Sequence, residues 1–153
     1  MQIKIILILF IFFTITGTIK AEDFKVVTIK KDTLDLIEYA KNKNLFIVLF
    51  SKSYNCFGCF KDIIKKLDSL QHNDTNVSYI FLAECDNSSH SRRKQIEIIN
   101  KIKNDLNVYF DINKNIFNKY KVDITPAMIN INNSEINYIS FDILFGGLSK
   151  DKK

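Results

Sequence analysis

An α/β fold, with a central mixed sheet flanked by helices, is predicted by three observations. Short apolar runs of strand length alternate with stretches whose apolar residues recur at helical spacing. Two of the runs, around Leu45–Phe50 and Val77–Ala83, are almost continuously apolar, the mark of strands covered on both faces. Past residue 126 the alternation gives way to a hairpin pattern, which adds antiparallel strands to an otherwise parallel sheet.

The elements follow in order. Phe24–Ile29 reads as a strand. Asp32 is the expected cap of a helix through Leu34, Ile37, Glu38 and Tyr39, ended by Lys41-Asn42-Lys43-Asn44. Leu45–Phe50 is a buried strand, Ser51–Asn55 a loop, and from Cys56 a helix carries Phe60, Ile63, Ile64, Leu67 and Leu70 on one face. After the strand Val77–Ala83, Ser91 is the expected cap of a helix carrying Ile96, Ile99, Ile102 and Leu106. Val108-Tyr109-Phe110 is a short strand or extended edge, and Lys114–Tyr120 makes about two helical turns. Ala127–Ile131 and Ile136–Phe141 form the hairpin across Asn132–Glu135. The chain shows no repeats and no Pro/Gly-rich linker, so one domain is expected over residues 22–153.

Residues 1–21 stand apart. One early lysine, an apolar run from Ile5 to Ile15 and small residues before Glu22 are the pattern of an exported leader. The run is shorter than the roughly 20 residues that span a bilayer, which favours cleavage over an uncleaved anchor. Without Lys4 and Lys20 the remainder holds 20 basic and 17 acidic residues, interspersed, with no nucleic-acid footprint. Four Asn-x-Ser/Thr sequons, at Asn73, Asn76, Asn87 and Asn132, follow from the abundance of Asn.

Three cysteines in an exported chain leave one without an internal partner. Cys56 and Cys59 form a C-x-x-C, too tight a loop for a framework disulfide to add much stability. Its place between a buried strand and a helix has a chemical use. Unpaired N–H groups and the dipole at the helix start favour a thiolate at Cys56, and Cys59 lies one turn further in. A first thiolate attacks a disulfide and a second resolves the mixed disulfide. Asn55 takes the expected cap position, and Gly58 lets the backbone approach an incoming chain. Pro126, the only proline, opens a strand in Thr125-Pro126-Ala127 and marks a special turn, a setting that often holds a cis peptide.

These markers together resemble the thioredoxin-like superfamily, over roughly Phe24 to Lys150. The strand Leu45–Phe50, the loop into Cys56-Phe57-Gly58-Cys59 and the helix after it look like that family's active-site unit. Tyr120-Lys121-Val122-Asp123-Ile124-Thr125-Pro126-Ala127 looks like its Tyr-x-Val-x-x-x-Pro segment, whose proline is cis and faces the disulfide. Phe145–Lys150 looks like the start of its last helix. The insert between Cys85 and Tyr120 is similar to exported thiol–disulfide reductases of the redoxin and cytochrome-c-maturation type. The resemblance implies Cys56 and Cys59 as the catalytic pair, and Thr125, Pro126, Phe57 and Gly58 as the substrate contacts. It implies no cofactor beyond the redox-active disulfide Cys56–Cys59. Partners would be protein thiols or disulfides and a protein that donates or accepts electrons, with membrane contact only through an uncleaved leader. The chain departs from the family in stopping four residues after Ser149, so a shortened C-terminal helix is expected: either that helix is cut by truncation, or a second copy, a partner or a membrane contact covers that face.

The sequence departs from the family at three places. Asn55 stands where Trp is usual, Phe50 where many members bury a carboxylate, and Phe57-Gly58 is an uncommon central pair. Two other readings therefore stand beside the enzyme: a binding module of the same fold with a static disulfide, and a zinc site from Cys56, Cys59, Cys85 and His90. Cys85 is expected as a half-buried free thiol at the sheet edge shared with Cys56. His72 and His90 are expected in solvated loops, and Arg92, Arg93 and Lys94 on a solvated helix face. Glu84 is expected as a surface charge, with a proton-shuttle role as the sharper alternative.

Overall fold

The computed structural model describes residues 24–51, 56–133 and 135–145. The leader, Asn55 and residues 146–153 lie outside them, so the expectations placed there concern undescribed residues. The elements are β1 (Lys25–Val27), β2 (Thr33–Asp35), α1 (Leu36–Tyr39), β3 (Asn44–Phe50), α2 (Phe57–Asn73), β4 (Val77–Glu84), α3 (Ser89–Asn100), β5 (Val108–Asp111), α4 (Asn115–Lys119), β6 (Ala127–Asn132), β7 (Glu135–Ile139) and α5 (Phe141–Phe145). None of these helices is long and apolar enough to cross a membrane.

The strands form one sheet in the order β2-β1-β5-β4-β3-β6-β7. β3, β4 and β5 run parallel, while β6, β7, β1 and β2 join antiparallel, giving the mixed sheet that the pattern predicts. Side chains alternate across each strand, so the apolar run of β3 feeds two cores. Leu45, Ile47 and Leu49 face the core that holds Leu36, Ile116 and Phe117 of the short helices α1 and α4. Val48 and Phe50 face the core that holds Phe60, Ile63, Ile64 and Leu67 of α2 and Ile99 of α3. The parallel strands β3 and β4 both end, at Phe50 and Glu84, beside the start of α2. Loops that carry chemistry collect at such an edge.

Several boundaries differ from the sequence reading, each for a local reason. Asp32 does not cap a helix. It closes a turn with Thr28, and Lys31, in the left-handed region at φ 72°, lets the chain double back so that β2 pairs with β1. Asp35 is the cap instead, its carboxylate accepting from the N–H groups of Ile37 and Glu38. Ser88, not Ser91, caps α3, accepting from Ser91 N at 3.0 Å. α4 begins at Asn115, because Lys114 takes a left-handed conformation, φ 56°, at the cap position. β7 stops at Ile139 and Phe141 opens α5. Val108–Phe110 is no edge, since β5 lies between β1 and β4.

Candidate active site

The apolar β3 delivers the chain to Ser51, and Cys56 then starts α2 as its N-cap, the place expected of Asn55. Cys56 and Cys59 are joined by a disulfide, their Cα atoms 5.3 Å apart. Cys56 Sγ accepts from the N–H of Cys59 at 3.3 Å, satisfying one of the unpaired donors of the helix start. Both cysteines are partly exposed. Phe57 is 45% exposed beside them, and a Cβ at Gly58 would meet nothing within 4 Å, so the first turn of α2 is open to an approaching chain.

The Thr125–Pro126 peptide bond is cis. Its loop is tied to the disulfide: the carbonyl of Thr125 accepts the backbone N–H of Cys56 at 3.2 Å. The hydroxyl oxygen of Thr125 accepts the N–H of Ser51 at 3.3 Å. Thr125 is wholly buried and Ser51 nearly so, which shields the Ser51–Thr125 bond from water. The structure therefore brings Cys56, Cys59, Phe57, Gly58, Thr125 and Pro126 to one edge of the sheet.

Two carboxylates lie near this edge, opposite each other in the register of β4 and β5. Glu84 is no surface charge: its side chain is 13% exposed, pairs with Lys114 at 2.8 Å and accepts from Ser51 Oγ at 3.1 Å. The hydrogen bond that Lys114 donates to Glu84, and the charge of Glu84, raise the pKa of Lys114 above its ordinary value. Asp111 is 2% exposed and accepts from three backbone N–H groups, of Asn115, Ile116 and Phe117, at 2.9–3.1 Å. Burial pushes the Asp111 carboxyl up, the three N–H groups oppose it, and the neighbouring Glu84 adds to the rise; the net direction is upward. Sequence reasoning missed Ser51 and Asp111. The signal available was slight: a polar residue closing an apolar strand, in each case.

Other expectations are corrected by burial. Phe50 fills the position of the absent carboxylate with an aromatic contact, 5.3 Å from the Phe60 ring. Cys85 is fully buried rather than half-buried, its Sγ 3.4 Å from Ser91 Oγ. Arg92 is 1% exposed and donates to the carbonyl of Asn87 at 3.2 Å. The earlier start of α3 explains this, for Arg92, Gln95 and Ile99 form the helix's inward stripe. Arg93, Lys94, His72 and His90 are exposed. Among the described residues no cluster of His, Cys, Asp or Glu could hold a metal, so Cys56, Cys59, Cys85 and His90 are not brought together as a zinc site.

Away from this edge, Lys103 pairs with Asp68 at 2.8 Å and donates to Tyr79 Oη at 3.0 Å. Burial acts to raise Asp68, but the hydrogen bonds from Lys103 and Tyr79 outweigh it and hold the carboxyl below its usual range.

No protein-family model and no curated protein matches the sequence. The structure is similar to solved ones. A thioredoxin-like protein from Porphyromonas gingivalis superposes with a TM-score of 0.59 at 19% identity, over 82% of each chain. The thioredoxin domain of a thiol–disulfide oxidoreductase from Bacteroides vulgatus gives 0.56 at 16% identity, over 82% of this chain and 90% of that one. A secreted Mycobacterium tuberculosis disulfide oxidoreductase, homologous to E. coli DsbE, gives 0.55 at 12% identity, over 80% and 87%. The sheet order, the disulfide at the start of α2 and these likenesses agree: the chain has the thioredoxin-like fold.

Proposed function

We propose that the chain is an exported thiol–disulfide oxidoreductase that exchanges disulfides with protein substrates, working as a reductase. The observation that carries the reading is the Cys56–Cys59 disulfide at the start of α2, with the cis Thr125–Pro126 loop hydrogen-bonded to Cys56. In the reduced pair, Cys56 is the attacking sulfur because it caps the helix, where N–H groups and the dipole stabilise a thiolate. The Cys56 thiolate attacks one sulfur of a substrate disulfide, forms a mixed disulfide and expels the other substrate sulfur as thiolate. The Cys59 thiolate then attacks Cys56 Sγ, closes the intramolecular disulfide and releases the second substrate thiolate. The substrate gains two electrons and the enzyme loses them, so a donor dithiol protein must reduce the pair again.

Phe57, Gly58, Thr125 and Pro126 would border the bound polypeptide, and no cofactor beyond the disulfide is required. Export rests on the leader pattern of residues 1–21 and gives a periplasmic or secreted location, with membrane contact only if the leader stays. The experiment is a trap. Cys59→Ser leaves Cys56 to form a mixed disulfide that cannot be resolved, so covalent adducts with exported proteins should accumulate and vanish in Cys56→Ser. If neither variant captures anything and the wild-type pair is inert to dithiols, the disulfide is static and the chain is a binding module.

A further inference from the structure

The carboxylate of Glu84 lies at one end of a chain of hydrogen bonds whose other end is the nucleophile. Ser51 Oγ donates to Glu84 Oε2 at 3.1 Å, Ser51 N donates to Thr125 Oγ1 at 3.3 Å, and Cys56 N donates to Thr125 O at 3.2 Å. Lys114 meets the other oxygen of Glu84 at 2.8 Å from a half-exposed position, so the carboxylate is neutralised on its outer side and bonded on its inner side. Ser51 is the last described residue before Cys56. Its hydroxyl and its backbone N–H point to two different elements, β4 and the Thr125–Pro126 loop. Fixing the hydroxyl therefore fixes the N–H, and with it the carbonyl of Thr125 that Cys56 uses.

We propose that Glu84 is a positioning residue for the thiol–disulfide exchange, acting through Ser51 and Thr125 on the placement of Cys56 against the Thr125–Pro126 loop. This inference rests on the exchange reading of Cys56 and Cys59. Glu84 touches neither sulfur in the network above; its effect is geometric, and displacements of about 1 Å at a reacting centre cost rate far more than stability. The acceptor oxygen, rather than the charge, is what Ser51 needs. An amide in place of the carboxylate supplies that oxygen and gives up the charge attraction of Lys114.

The test is the second-order rate constant for reduction of the oxidised protein by dithiothreitol, followed in wild type, Glu84→Ala, Glu84→Gln and Ser51→Ala, with folding checked by circular dichroism. Glu84→Ala and Ser51→Ala should both be slower by about tenfold. Glu84→Gln should stay within about threefold of wild type, a rescue that loss of a merely structural ion pair would not give. A folded Glu84→Ala protein reacting at the wild-type rate overturns the inference. So does a Glu84→Gln protein slowed as much as Glu84→Ala, because the charge would then be what matters. A wild-type protein inert to dithiothreitol would instead bring down the exchange reading itself.

Discussion

Glu84 and Asp111 stand opposite each other at the ends of the parallel strands β4 and β5, two acids in one register pair. Their partners differ in kind. Among the described residues the Asp111 carboxylate is bonded only to local backbone, the three N–H groups that open α4. Glu84 is bonded to side chains from elsewhere in the chain, Ser51 after β3 and Lys114 before α4. A carboxylate that caps its own neighbouring helix serves the fold, because its loss frees buried donors in one place. A carboxylate that ties separate elements together sets how they meet, and here they meet beside Cys56. The same residue type thus supports stability in one strand and geometry in the next.

The largest effect expected from breaking this contrast is at Asp111. Asp111→Ala strands buried N–H groups of α4 and should lower stability by about 3 kcal/mol in denaturant unfolding. The dithiothreitol rate of the protein that remains folded should not change by more than about twofold, since the side-chain bonds of Asp111 among the described residues lead to α4 and not to Cys56. A tenfold rate loss would erase the distinction between the two acids.

A second effect appears in pH. Burial raises the Asp111 carboxyl above its ordinary value of 3.8 in the fold, so the folded state holds this proton more tightly than the unfolded chain. The corresponding stability is fully present below that value and is lost as pH rises through the folded pKa. Wild type measured against Asp111→Asn, which does not titrate there, should therefore lose relative stability as pH climbs above about 3.8. In Glu84→Gln the same loss should fall at lower pH, because the charge of Glu84 contributes to the rise. An unshifted profile in Glu84→Gln would show that the two acids do not sense each other.

The smallest effect is expected at the half-exposed group Asp68, Tyr79 and Lys103. Lys103→Ala should cost less than about 1 kcal/mol and leave the exchange rate alone, because an exposed ion pair is screened and held at an entropic cost.

Much of the fold was legible from the chain itself. Leu45–Phe50 announces a strand covered twice because both alternating faces are apolar, and Phe60, Ile63, Ile64 and Leu67 can share a core only on a helix. Cys56, Cys59 and Pro126 stood out in the sequence because their types have few other uses in those positions, and the structure places a disulfide and a cis peptide there. Caps were harder. Asp32 and Asp35 are both good caps three residues apart, and only the pairing of β2 with β1 decides between them. Ser88 and Ser91 pose the same choice, and the structure takes Ser88, which sets Arg92 a full turn inside α3 on the buried stripe with Gln95 and Ile99. Glu84 and Asp111 were least visible, since each depends on Lys114: one on its charge, the other on its left-handed backbone.

The central claim is that Cys56 and Cys59 form a reversible redox pair poised for reduction of substrates. Its most direct test is the reduction potential of the pair, by equilibration of the protein against glutathione or dithiothreitol. We expect a reversible potential near that of thioredoxin, about −270 mV. A value near about −120 mV would reverse the direction of electron flow, and the absence of any reversible exchange would contradict the claim outright.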